Sequence, residues 1–232
     1  MSATPLPSSG ASPLDGPKTC DASGMIEIHR LFRHSFDEAP RLIEGVADGD
    51  TAHADVVADQ LSMISTALHG HHEGEDARLW PALDERAPGC ALHVERMREQ
   101  HAAMLVHLTA LDAALPGWSA HPSQETARPL LAAVDGVRSA LTQHLPDEET
   151  NIVPVMEHVL TEPEVEWFAK HGRASTPKGH TWYMLGAILA AQPDGGDEWL
   201  KKSLPGPVKL MWRGVGARRY ARFHAALEGQ PH

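Results

Sequence analysis

The sequence predicts an all-α fold: an antiparallel four-helix bundle followed by a helical C-terminal extension. Three observations point there. Alanine and leucine dominate the apolar residues and β-branched runs are rare, which favours helix over sheet. Apolar residues recur at helical spacing in four long segments. The connections between those segments are short and rich in Gly, Pro, Asp and Ser, as between neighbouring antiparallel helices.

Residues 1–23 are mostly Pro, Gly, Ser and Ala, have little to bury, and read as a disordered arm. Helical periodicity begins near Met25, with Ile26, Ile28, His29, Phe32, Phe36 and Leu42 as candidates for the buried side. Asp48-Gly49-Asp50-Thr51 ends this helix and caps the next. The second helix spans about Thr51 to Arg86 and must bend or end near Pro81. The third spans about Leu92 to Leu115 and is followed by the loop PGWSAHPSQ. The fourth spans about Glu125 to Leu160, with a kink or interruption near Pro146 and Pro154. The bundle therefore occupies residues 24–161 and the extension residues 162–232.

Charge divides the same way. Residues 1–162 carry a net charge of −15 and residues 163–232 a net charge of +4, within −11 for the whole chain. An acidic protein argues against a nucleic-acid partner. The stretch KLMWRGVGARRYARF near the end is basic and amphipathic. It can offer a surface to an acidic partner or to membrane headgroups. It can also pack its Trp, Leu and Val side on the bundle and leave its arginines in water, and this second arrangement is the expectation. Cys20 and Cys90 form no CxxC pair, which argues against a zinc knuckle or a disulfide framework. The first residues lack the basic start and apolar core of a signal peptide. No apolar run approaches the roughly 20 residues of a membrane span. A soluble, cytoplasmic protein is expected.

The chain contains 16 histidines. A His and a Glu four residues apart share one helix face, but this pairing occurs seven times, so spacing alone selects none of them. The residues that follow do. His71 and Glu75, and His144 and Glu148, share the pattern H-x3-E-[DE]-x2-[LI]-x-P at an offset of 73 residues. His29 lies 42 residues before His71, and His101 lies 43 before His144. Each half thus reads as a helix with one His followed by a helix with HxxxE. Four histidines and two carboxylates converging in an apolar setting suit two metal ions bridged by the glutamates. Iron accepts that donor set readily; zinc is the competitor. Asp76 and Glu149, the acids after the two glutamates, are candidates to orient ligand imidazoles from behind.

His29, His71, Glu75, His101, His144 and Glu148 together resemble the haemerythrin-like, or HHE cation-binding, family, over about residues 25–160. The stretch LHGHHEGEDARLWP and the tail segments HGRASTPKGHTWYMLGAIL and LPGPVKLMWRGVGARRYARF are similar to actinobacterial members. The resemblance implies two non-haem iron ions, oxo- or hydroxo-bridged. Glu75 and Glu148 would bridge them, and His29, His71, His101 and His144 would be terminal ligands. The oxygen-carrying members have a further histidine where this chain has Leu105. His72 is the best substitute, as a ligand or as an outer support, and Glu73 a weaker one. A site one histidine short favours reaction over storage. The expectation is a di-iron protein that binds and reacts with O2, H2O2 or NO, as a peroxidase, catalase or oxygenase, with a redox partner that the sequence does not identify. The alternative is a non-enzymatic O2 or iron sensor or carrier.

Overall fold

A computed structural model describes residues 16–230. It is all-α, with no strand among the described residues. Four elements form the bundle. Helix α1 is Ser23–Glu44. Helix α2, Thr51–Gly74, continues through a π turn, Glu75–Leu79, into α3, Trp80–Arg86. Helix α4 is Ala91–Ala120. Helix α5, Gln124–Asn151, continues after a break at Ile152 into α6, Val153–Val159. Around the bundle α4 packs on α2 and α5, and α1 closes the ring against α5 and α2.

The start signals act as the sequence implies. Asp50 accepts a hydrogen bond from the His53 amide at the head of α2. Ser123 and Thr126 form a reciprocal capping box at the head of α5. The prolines behave less uniformly. Pro81 has no N–H to offer the carbonyl one turn back, and the widened π turn just before it absorbs the mismatch. In the second half the chain breaks at Ile152, and Pro154 falls in the first turn of α6. Pro146 lies inside α5 with no break. The third helix does not end at Leu115 as the Pro-Gly pair suggests. It runs through Pro116 to Ala120, and this buries Trp118 in the core. Burial of an indole outweighs one lost helix bond.

Two apolar cores fill the bundle. One holds Leu31, Phe32, Phe36, Leu68, Met104, Leu141 and Leu145 among others. The other holds Met25, Leu79, Trp80, Met97, Ile152 and Met156. On every bundle helix, the histidine or glutamate of interest falls between a residue of one core and a residue of the other.

Of the stretch read as an arm, residues 1–15 lie outside the described residues. The rest is held: Thr19 N–H donates to the Glu157 carbonyl at 2.7 Å, Lys18 pairs with Glu157, and Cys20 and Ala22 are buried in the second core.

The extension comprises α7 (Glu162–Ala174), α8 (Thr181–Ala190), α9 (Asp197–Ser203), α10 (Gly206–Met211), a second π turn (Trp212–Gly216) and α11 (Ala217–Leu227). Helix α7 packs on α2 where Gly70 and Gly74 leave room for Ser175 and His171. Helices α8 and α11 pack on α1 and α2. Phe223 and Leu227 enter the first core, and a bidentate pair from Arg41 to Glu228 fastens α11. The arginines at 218, 219 and 222 are exposed, as expected, but Leu210, Met211 and Val215 are exposed too. The apolar side of the basic stretch is only partly covered. No helix among the described residues is long and apolar enough to cross a membrane.

Core and surface apolar residues should separate in denaturant. Phe36→Ala, in the first core, should cost about 3–5 kcal/mol in urea unfolding. Leu210→Ala should stay within about 0.5 kcal/mol of the parent protein.

Candidate metal centre

Between the two cores lies one polar layer. Helix α1 contributes His29, α2 contributes His71 and His72, and the π turn opens on Glu75. Helix α4 contributes His101, and α5 contributes His144 and Glu148. All six residues singled out by the repeat come together. Glu75, Glu148, His29 and His144 are each 0% exposed.

The ligand atoms form two groups. Those of His29, His71, Glu75 and Glu148 lie within 4.8 Å of one another, and so do those of His72, Glu75, His101 and His144. Glu75 belongs to both. Its Oε1 lies 3.1 Å from His71 Nε2 and its Oε2 lies 3.5 Å from His101 Nε2. Glu148 Oε2 also reaches both ways, 3.3 Å from His29 Nε2 and 3.5 Å from His144 Nε2. The Nε2 atoms of His29 and His71 are 3.2 Å apart, and those of His101 and His144 are 3.3 Å apart. Two imidazoles at right angles on one ion, each about 2.1 Å from it, would be about 3 Å apart.

Among the described residues, none of the four oxygens of Glu75 and Glu148 has a hydrogen-bond partner, nor has His72 Nε2. Five buried polar atoms aimed at one interior space are costly without a cation. The donor set fits metal-cation binding.

The electrostatics agree. Burial, and then the neighbouring Glu148, push the Glu75 carboxyl well above the usual range. Burial also opposes ionisation of Glu148, but the imidazoles of His29, His144 and His71 outweigh it and hold that carboxyl low. Burial keeps His71 and His72 well below the ordinary imidazole value and lowers His144 to about 4. These three rings are neutral at pH 7, the form in which imidazole binds metal.

The outer supports cross between the halves. His29 Nδ1 donates to Glu149 at 2.9 Å, and Arg33 donates to the same oxygen at 2.8 Å. His101 Nδ1 donates to Asp76 at 2.8 Å, and the Trp80 indole N–H donates to the same oxygen at 2.7 Å. Each bond fixes the tautomer and turns Nε2 toward the interior. Asp76 and Glu149 thus stand behind His101 and His29. His144 Nδ1 donates to the Gln100 amide oxygen at 3.1 Å. Sequence reasoning missed Gln100, Arg33 and Trp80 as supports. Trp80 alone left a signal, standing four residues after Asp76 inside the repeated motif.

Leu105 is 50% exposed, because the buried stripe of α4 runs through His101, Met104, Leu108 and Leu111. His72 lies inside the layer instead, its ring stacked on His101 at a centroid distance of 4.1 Å. Glu73 is exposed. His107 lies between α4 and α5 against Gly136, where a Cβ would come within 2.2 Å of its Nδ1.

The hemerythrin HHE cation binding domain profile matches residues 22–156. The chain belongs to this family. The match covers the whole bundle up to α6 and ends before the extension. No curated protein and no solved structure matches the chain. Cation binding by the HHE domain therefore rests on family membership as well as on the His/Glu clusters.

Two outcomes follow. Asp76→Asn and Glu149→Gln should each weaken metal binding by about 10- to 100-fold in competition titrations. In metal-free protein, Glu75 binds its proton more tightly folded than unfolded, so its contribution to stability falls as pH rises above 4.5. Glu75→Gln should therefore gain stability relative to the metal-free parent as pH rises. It should also lose the rise in melting temperature that added metal gives the parent.

Proposed function

We propose that this HHE protein holds two iron ions and that the centre binds and reacts with O2, H2O2 or NO. The observation that carries the reading is Glu75, whose two oxygens face opposite histidine groups 3.1 and 3.5 Å away. A carboxylate placed so bridges two ions rather than serving one. The donors are imidazole and carboxylate with no thiolate, which suits iron; structural zinc sites are typically closed, four-coordinate and cysteine-rich. His29, His71, His101 and His144 would be terminal ligands, Glu75 and Glu148 the bridges, and His72 a fifth histidine on the His101 side. Counted this way, the His29 side offers four protein donors and the His101 side five. The His29 side is the more open and is the side for a small ligand.

Bound iron would supply the electrons and Lewis acidity for that ligand's chemistry. The chain supplies the rest. The two cores keep bulk water from the layer, which strengthens every charge interaction inside it. Glu149 and Asp76 hold the outer nitrogens of His29 and His101. A groove of about 230 Å³ between α1 and α5, lined by Arg33, Phe36, Leu141 and Pro146, lies within about one turn of His29 and His144. It is the proposed approach for a small molecule. A larger groove of about 920 Å³ is lined by Asp59, Leu115, Arg222 and Phe223. It lies about 20 Å along α4 from His101 and takes no part.

One observation favours the second reading, a carrier or sensor. His72 lies in the layer against His101, and as a ligand it would stand in for the histidine that Leu105 replaces, which supports a carrier or sensor.

The deciding measurement is stopped-flow absorbance of the reduced, iron-loaded protein mixed separately with O2, H2O2 and NO. Two irons per chain and a near-ultraviolet oxo-bridge band are expected, both lost in the His71→Ala, Glu148→Ala double variant. Catalytic consumption of peroxide or NO that disappears with the iron supports the redox reading. Reversible O2 binding without turnover supports the carrier.

A further inference from the structure

We propose that Trp80 is a one-electron donor to the centre. This rests on the di-iron reading above. The Trp80 ring is 0% exposed. Its N–H donates to Asp76 Oδ1 at 2.7 Å, the oxygen that also accepts from His101 Nδ1 at 2.8 Å. The indole and imidazole centroids are 5.5 Å apart. One carboxylate therefore joins an oxidisable ring to a ligand of the proposed centre.

The repeat sets this indole–carboxylate pair apart from its counterpart in the second half. At the 73-residue offset Trp80 corresponds to Val153 and lies next to the same proline. The matching acid, Glu149, takes its second hydrogen bond from Arg33, which neutralises it. Asp76 takes its second bond from a neutral ring and keeps its negative charge free to act on that ring. A carboxylate beside a buried indole stabilises the positive charge left when an electron departs. Asp76 is also half exposed, so a proton taken from the indole can pass on to water. Both tyrosines lie in the extension. Trp118, the other fully buried tryptophan, is about 25 Å along α4 from His101.

The step uses hydrogen peroxide as oxidant and a centre with one ferrous and one ferric ion. Breaking the O–O bond takes two electrons. The ferrous ion gives one and becomes ferric; the Trp80 ring gives the other. The oxygens leave as two waters, taking one proton from the indole N–H by way of Asp76 and one from solvent. A neutral indolyl radical remains on Trp80.

The test is freeze-quench EPR of iron-loaded, half-reduced protein mixed with one equivalent of H2O2, with iron content measured on the same samples. An organic-radical signal is expected. Ring-deuterated tryptophan should change its hyperfine pattern, Trp80→Phe should abolish it, and Trp118→Phe should leave it. A signal that persists in Trp80→Phe, or peroxide reduction with no tryptophan radical, would overturn the proposal while leaving the di-iron reading intact. A chain that binds no iron overturns both. Peptide mapping of the unaltered protein after repeated peroxide pulses decides the matter if Trp80→Phe does not fold. Buried Trp80 should be oxidised ahead of the partly exposed Trp167, Trp182, Trp199 and Trp212, and oxidation that simply follows exposure refutes the role.

Discussion

Two buried carboxylates without hydrogen-bond partners dominate this structure. Glu75 and Glu148 sit in a buried layer between two apolar cores, and no donor among the described residues satisfies them. Burying such groups is expensive unless something positive joins them. Burial holds His71, His72 and His144 as neutral donors, while Glu148 and Glu149 raise His29 against its own burial; three neutral imidazoles facing the carboxylates suit a metal cation. The bundle can be read as the means of enclosing that layer: four helices, each interrupting its apolar stripe once, at the same height.

The interruptions explain why so much was visible in the sequence. The stripes on α1, α2, α4 and α5 have helical period; the breaks at His71 and His144 repeat at the 73-residue offset, and those at His29 and His101 lie 72 residues apart. What stayed hidden was decided by rotation about a helix axis. His71 and His72 are adjacent, and spacing cannot say that both enter the layer. Leu105 stands four residues after His101, close enough in angle to mislead, yet the stripe of α4 turns past it. Gln100 carries no pattern; it supports His144 only because α4 and α5 pack closely. Pro116 was misread because a local helix breaker was overruled by a distant gain, the burial of Trp118. The extension was legible as helical and basic, but not as five short helices of which α7, α8 and α11 pack on α1 and α2.

The extension also bears on the centre's rigidity. Helix α7 rests on the Gly70 and Gly74 side of α2, directly behind His71 and Glu75. A Cβ at Gly70 would meet Ser175 Oγ at 2.3 Å. Helix α2, which holds His71 and His72 and leads into Glu75, is thus packed on two sides, toward the bundle and toward the tail. Ligand geometry needs such backing, because a loosely held shell costs affinity.

The crossing of supports has one more consequence. Asp76, from the first half of the chain, holds His101 of the second; Glu149, from the second, holds His29 of the first. Neither half owns a finished set of oriented ligands. The layout is that of two like subunits joined into one polypeptide, each completing the other's pocket. Closing the layer therefore takes the whole bundle: the first half brings His29, His71, His72 and Glu75, and His101, His144 and Glu148 arrive only with the second.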